Sequence, residues 1–263
     1  LFYLMDKKFE ALAPSKISFH EIRTVGEEEA RRKYGEKHPS FQDVKIEEIY
    51  QSIGEYFGLA EDVTLAMLAE EKRLEIALCR PRKTAKELYD FALLCGKKVI
   101  FTSDMYLDEE TIRAVLSQCG YTEYEQLYLS SSYRLTKHQG DLYRAVLKDI
   151  KVKAANILHI GDNLQNDVTN ARKYGIDAVH FPRALDVFEN KIAEAPTGGC
   201  STVAQLAGGA VVDPQALTDS LGYRTMIALI ANRYFDNPFR GFDPQTDFNA
   251  DPYFIGYYPL GMH

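Results

Sequence analysis

The chain has 263 residues, enough to bury a substantial core in one large domain or two smaller ones. Its 38 acidic side chains outnumber 31 basic ones, giving a formal charge of −7 and no net basic field to hold a nucleic-acid backbone or an anionic membrane. No apolar run is long enough to cross a bilayer, and Leu1-Phe2-Tyr3-Leu4-Met5 is too short for a signal-peptide core and lacks its basic flank, so the expected location is cytoplasmic.

From Leu1 to about Pro81 the pattern is helical, with almost no strand signal. Val44, Ile46, Ile49, Ile53 and Phe57 fall on one apolar face at mostly three- and four-residue steps. Gly26 to Arg32 is charged and helix-favouring, and Pro39-Ser40 followed by Gln42-Asp43 marks a break and a new start. A further helix is predicted over Val63 to Leu78, ending near Arg80-Pro81-Arg82. Both arginines are read as solvated charges, with contact to an anionic substrate as the alternative. Asp6 is read as a helix-surface residue. The spacing thus predicts a helical cap subdomain over residues 1–82.

At Lys83 the texture changes to helices alternating with short apolar runs, predicting an α/β core over residues 83–185. Ala85, Leu88, Ala92 and Cys95 line a helix closed by Gly96, and Val99-Ile100-Phe101 is a buried strand. Asp108 can cap the next helix, which stops at Gly120. A second strand covers Gln126 to Ser130, and a helix with Leu142, Val146, Leu147 and Ile150 follows. The third strand, Ile157 to Ile160, turns at Gly161 into a helix ending at Gly175, and the fourth is Ala178 to Phe181. Buried strands separated by helices predict a parallel, doubly wound sheet. Residues 186–263 read as a linker, with Pro196-Thr197-Gly198-Gly199 and Gly208-Gly209, then a helix over Tyr223 to Tyr234 and an aromatic-rich tail. Cys79, Cys95, Cys119 and Cys200 lack metal-ligand spacing and are read as reduced core thiols.

Ligands of open parallel sheets bind beyond the carboxyl ends of the strands, so polar residues there matter most. The first strand ends in Thr102-Ser103-Asp104, and only one of the two hydroxyls can point inward. The second runs into Ser130-Ser131-Ser132, with Lys137 before the next helix. The third ends in Gly161-Asp162, and Asp167 follows in the first turn of a helix. Two carboxylates at one crevice suit a hard cation such as Mg²⁺, which takes a few carboxylate oxygens and keeps its other positions for water or phosphate. The plainer alternative is that both aspartates only cap the helix. Lys137 could reach a phosphate at the same crevice, or be a solvated charge. No Gly-x-Gly-x-x-Gly opens a helix and no P-loop is present, which argues against a nucleotide-binding Rossmann domain.

In this order, the residues resemble the haloacid dehalogenase (HAD) superfamily of phosphatases and phosphotransferases, over about Lys83 to Phe181. Ser103 matches the family's second motif, with Thr102 as a rival. Lys137 in Leu135-Thr136-Lys137 matches the third, and Gly161-Asp162 with Asp167 the fourth. The resemblance implies a HAD-like Rossmannoid parallel sheet, here without its first strand, carrying an N-terminal helical cap and a C-terminal helical, aromatic-rich extension. It implies Mg²⁺ at Asp162 and Asp167, and a small phosphorylated substrate held by Ser103 and Lys137. The stretch Ser103-Asp104-Met105-Tyr106-Leu107, Tyr234 to Phe239 and Asn249 to Tyr253 are similar to a bacterial group associated with glycosyltransferases and surface-polysaccharide biosynthesis.

The family's first motif, Asp-x-Asp at the end of a strand, has no match, since Asp6 is followed by Lys7-Lys8. The expectation is a piece that starts downstream of the nucleophile and is inactive alone, from a parent that is an Mg²⁺-dependent phosphatase or phosphotransferase. The alternative is a non-catalytic module that positions a glycosyltransferase partner or fused domain.

Overall fold

The computed structural model describes residues 1–9, 17–194 and 221–240. The predicted linker turns at 196–199 and 208–209, Cys200 and the aromatic tail beyond residue 240 lie outside the described residues. The chain divides into two units, Leu1–His180 and Phe181–His263. Among the described residues, no helix is long and apolar enough to cross a membrane.

The first unit opens with four helices, α1 (Phe2–Phe9), α2 (Phe19–Lys37), α3 (Ile46–Phe57) and α4 (Glu61–Leu78). Ser18 and Glu21 form a reciprocal capping box that starts α2, satisfying two otherwise orphaned amides. Asp6 corrects its predicted surface role: its carboxylate accepts the Phe19 N–H at the same helix start. Val44, Ile46, Ile49 and Ile53 are buried in one core with Met5, Ile22, Met67 and Leu74, while Phe57 packs at its margin. Each fully buried aliphatic side chain there contributes roughly 1.5–3 kcal/mol. Gly26 lets α2 and α3 approach closely, because a Cβ at this position would overlap the Ile53 side chain.

Inside this helical layer, Arg23 Nε donates to both oxygens of Glu71 at 3.3 and 3.2 Å, and Tyr50 donates its hydroxyl to Glu71 at 2.5 Å. Glu71 is fully buried, so a buried charge is tolerated here only because a guanidinium and a phenol satisfy it.

The α/β part follows as α5 (Lys83–Leu94), β1 (Ile100–Ser103), α6 (Glu109–Gln118), β2 (Gln126–Leu129), a single turn α7 (Ser130–Tyr133) and α8 (Asp141–Ile150). Then come β3 (Leu158–Gly161), a π-helical turn over Leu164–Thr169 running into α9 (Asn170–Lys173), and β4 (Asp177–His180). Asp108 caps α6 as predicted, accepting the Thr111 N–H at 2.9 Å. The fold is mixed α/β with parallel strands, but the strands form two separate pairs. β1 runs parallel to β2 with Ser103 opposite Leu129, and β3 runs parallel to β4 with Gly161 opposite His180. Among the described residues, no third strand joins either pair.

Alternation along β1 sets its two faces. Ile100 packs with Tyr128, Leu142 and Val146, whereas Phe101 meets Tyr89, Tyr121 and Tyr124. The core reading of the cysteines holds for Cys119, which is buried, and fails for Cys95, which is exposed at the end of α5; Cys79 is half-buried. Arg80 donates to the carbonyls of Ala77 and Cys79, both at 2.7 Å, and so serves the C-terminal end of α4. In the second unit lie α10 (Ala184–Glu194) and α11 (Leu221–Tyr234), and Phe188 of α10 makes an edge-to-face contact with Phe235, the residue that follows α11.

Candidate functional site

The carboxyl ends of β1, β2 and β3 carry the candidate residues. Lys137 lies in the loop between α7 and α8, and its ammonium donates to Asp167 Oδ1 at 2.5 Å across 30 residues of sequence. The pair is sheltered, with side-chain exposures of 12% and 2%, so water screens it weakly. Asp167 also accepts from His159 Nε2 on β3 at 3.2 Å, and its Oδ2 accepts the Asn163 N–H at 2.9 Å. Burial by itself would raise the Asp167 carboxyl. The His159 hydrogen bond, the Lys137 charge and the Asn163 amide outweigh burial and hold it well below the usual carboxylate range.

Gly161 makes this arrangement possible. A Cβ there would overlap the carboxylate of Asp167, so a residue with no side chain lets the acid fold back against the strand end. Gly161 thus serves a close approach at the residue where the chain leaves the strand. The π-helical turn over Leu164–Thr169 sets the angle at which Asp167 arrives, and such widened turns recur at functional sites.

Asp162 stands immediately beyond β3. It is exposed, its main-chain carbonyl lies 2.9 Å from His180 Nε2, and its carboxylate has no hydrogen-bond or ion-pair partner among the described residues. Asp162 and Asp167 thus differ: the first offers free, hard oxygen donors, while both oxygens of the second are already engaged. Among the described residues, no cluster of three or more metal-ligating side chains exists. Asp162 offers hard oxygen donors of the kind Mg²⁺ takes, whereas Asp167 is engaged as the partner of Lys137, so the expected pair of carboxylates is not assembled as a free ligand set among the described residues.

Ser103 ends β1 on the same strand face as Phe101, and Thr102 shares the face of Ile100. Neither hydroxyl has a hydrogen-bond partner among the described residues. The serines after β2 are spent on structure. Ser130 Oγ accepts the Met105 N–H at 2.8 Å and donates to Asp43, and Ser131 donates to the Leu107 carbonyl at 3.0 Å.

Several residues around Lys137 were given no role at it by the sequence reading. Asp104 accepts from the main-chain amides of Lys137 and His138, and Asn170 donates to their carbonyls. Gln42 accepts the Thr136 N–H at 2.8 Å from the helical layer. Tyr143 donates to the Asn166 carbonyl at 3.0 Å and lies edge-on to His159, with burial and the Asp167 and Asp104 charges pushing its hydroxyl pKa up. Asp104 was visible as a polar strand end; nothing in local spacing points to Asn170, His159 or Gln42.

No curated protein sequence matches the chain significantly. Among solved structures, the chain is similar to the L-2-haloacid dehalogenase from Xanthobacter autotrophicus at 16% identity, over 74% of this chain and 78% of that one, with a TM-score of 0.47. A 2-haloacid dehalogenase from Pseudomonas syringae pv. Tomato DC3000 aligns at 15% identity over 67% of this chain and 75% of its own, with a TM-score of 0.48. A HAD phosphatase from Thermococcus onnurineus aligns at 16% identity over 62% of this chain and 77% of its own, with a TM-score of 0.36. Residues 135–183 match the HAD-hydrolase-like family model, and the stretch of this chain that holds Lys137, Asp162 and Asp167 is therefore HAD-hydrolase-like in sequence.

Proposed function

We propose that the rim formed by Ser103, Lys137 and Asp162 binds the phosphoryl group of a small phosphorylated metabolite, as part of a HAD-type phosphatase or phosphotransferase. The observation that carries this reading is the Lys137–Asp167 pair, a sheltered ammonium held at a parallel-strand rim by an ionised carboxylate. A lysine fixed in this way presents its remaining N–H donors without the entropy loss that a free side chain suffers on binding. Ser103, whose hydroxyl has no protein partner among the described residues, would donate to a second phosphoryl oxygen. Asp162 would hold Mg²⁺, which when bound would supply positive charge against the phosphate dianion. His159 and the Asn163 amide keep Asp167 ionised and aimed at Lys137. The helical layer over residues 1–82 would cover the site and select the substrate. The likeness of Ser103 to Leu107 and of the C-terminal segments to glycosyltransferase-associated proteins supports a place in polysaccharide biosynthesis.

Titration of inorganic phosphate into the chain with Mg²⁺ tests the reading. Lys137→Ala is expected to weaken binding at least about tenfold, or about 1.4 kcal/mol, and equal affinity of the variant and wild type would overturn it. The 263 residues contain no Asp-x-Asp pair, so an aryl phosphate should be bound and not turned over. Turnover that disappears in Asp162→Asn would refute that expectation. The same feature supports a second reading, a non-catalytic module that positions a glycosyltransferase, and saturable phosphate binding lost in Lys137→Ala speaks against it.

A further inference from the structure

The main chain at Lys137-His138 is gripped from both sides. The Asp104 carboxylate accepts the Lys137 N–H at 2.8 Å through one oxygen and the His138 N–H at 3.1 Å through the other. On the opposite side, Asn170 Nδ2 donates to the Lys137 carbonyl at 3.0 Å and to the His138 carbonyl at 2.7 Å. All four polar groups of two consecutive residues are thereby satisfied by two side chains, one from the end of β1 and one from α9. Asn170 is itself held, its Oδ1 accepting from Lys173 at 2.9 Å and Gln165 at 3.1 Å, and it is buried.

Asp167 and Asn170 stand three residues apart on one helical face, so the same face holds both ends of the lysine. Asp167 takes the ammonium, and Asn170 takes the backbone. A carboxylate that accepts two consecutive amides makes charge-assisted bonds, stronger than the neutral contacts that usually hold a loop. A loop capped only by solvent would let the lysine stem swing. This one is fixed at its root as well as its tip.

We propose that Asp104 and Asn170 are positioning residues for Lys137, fixing its main chain so that its ammonium meets a phosphoryl oxygen in one place. The proposal rests on the phosphate-binding reading above and deepens it. Neither residue touches the phosphate; each acts through the lysine. Asp104 ties the lysine to β1, so the strand that carries Ser103 and the loop that carries Lys137 move as one. A phosphate held by both would then meet a rim of constant width.

The test uses the full chain labelled with ¹³C and ¹⁵N, inorganic phosphate as the probe and Mg²⁺ present throughout. The readout is the phosphate dependence of the Lys137 ¹³Cε resonance, which a purely structural role for either residue would leave unchanged. In the wild-type chain, phosphate shifts this resonance saturably. Asp104→Ala and Asn170→Ala should each weaken that titration about tenfold, while the resonances of Ile22 and Ile49 in the helical core keep their positions. A folded variant of either kind that binds phosphate at Lys137 with wild-type affinity overturns the proposal. If Asn170→Ala does not fold, Asp104→Ala decides alone, since Asp104 is only half-buried. No response of Lys137 in the wild-type chain would instead refute the phosphate-binding reading, and the positioning proposal with it.

Discussion

At the scale of single residues, the site depends on a missing side chain as much as on those present. Gly161 leaves the space into which the Asp167 carboxylate folds, and the pair with Lys137 exists only because that space is clear. Gly161→Ala forces the acid or the strand end to move, and overpacking of this kind costs about 1–3 kcal/mol. Urea unfolding is expected to show that loss, together with weaker phosphate binding, because the ammonium loses its fixed partner. An unchanged midpoint with unchanged phosphate affinity would show that Asp167 has room to spare.

At the scale of elements, α2 and α3 meet through Gly26 and Ile53. Gly26→Ala should destabilise the chain by about 1–3 kcal/mol, and Ile53→Ala, which removes both the Cγ1 and Cδ1 atoms that the new Cβ would meet, should cost less in that background than in the wild type. Strictly additive effects in that double variant would place the strain elsewhere. The contact between α3 and the loop after α7 is electrostatic. Arg134 adopts a left-handed φ of 58°, a conformation that costs a non-glycine residue about 1–2 kcal/mol. It is held there by a two-pronged ion pair to Glu48, at 2.7 and 2.5 Å, and by a bond to the Asp43 carbonyl at 3.0 Å. Burial raises the Glu48 carboxyl, but the hydrogen bonds from Arg134 and the Lys45 amide, with the charge of Arg134, lower it below its ordinary value.

A depressed folded pKa makes Glu48 stabilising above its unfolded value of about 4.3, and that contribution is lost as pH falls through the folded value. The wild-type chain should therefore melt above Glu48→Gln at neutral pH, with the gap narrowing as pH drops below about 4.3. A gap independent of pH down to the acid limit would assign the difference to packing alone.

At the scale of the first unit, residues far apart in sequence meet on the Lys137 loop. Gln42 accepts from Thr136 at 2.8 Å and donates to Asp141, and the Gln42 N–H donates to the Arg134 carbonyl at 3.0 Å. The helical layer and the lysine loop are thus one bonded network, in which a change at residue 42 is felt at 137. Gln42→Ala leaves the N–H of the buried Thr136 without its acceptor, a loss of about 1–3 kcal/mol that thermal or urea unfolding would register. The same variant should weaken phosphate binding at Lys137 if the helical layer helps to hold the loop.

Much of the element order was legible because it rests on local patterns: the apolar spacing of α3, the Asp108 cap of α6, and short β-rich runs that became the four strands. Ser103 and Asp162 could be placed at strand ends, and Lys137 and Asp167 in the connections that follow, for the same reason. What could not be read was which of them touch. Asp162 and Asp167 look alike in sequence, yet one carboxylate is free among the described residues and the other is bound by a lysine 30 residues upstream. The grip of Asp104 and Asn170 on Lys137, the hold of Gln42 on Thr136, and the pairing of strands two by two depend on contacts between separate segments, whereas His159 reaches Asp167 across the single turn that follows β3. Periodicity records which face of an element is apolar, and so which elements form and in what order. Partners across 30 to 100 residues are selected only when packing brings their donors and acceptors to within about 3 Å of one another, and that was decided by the tertiary structure.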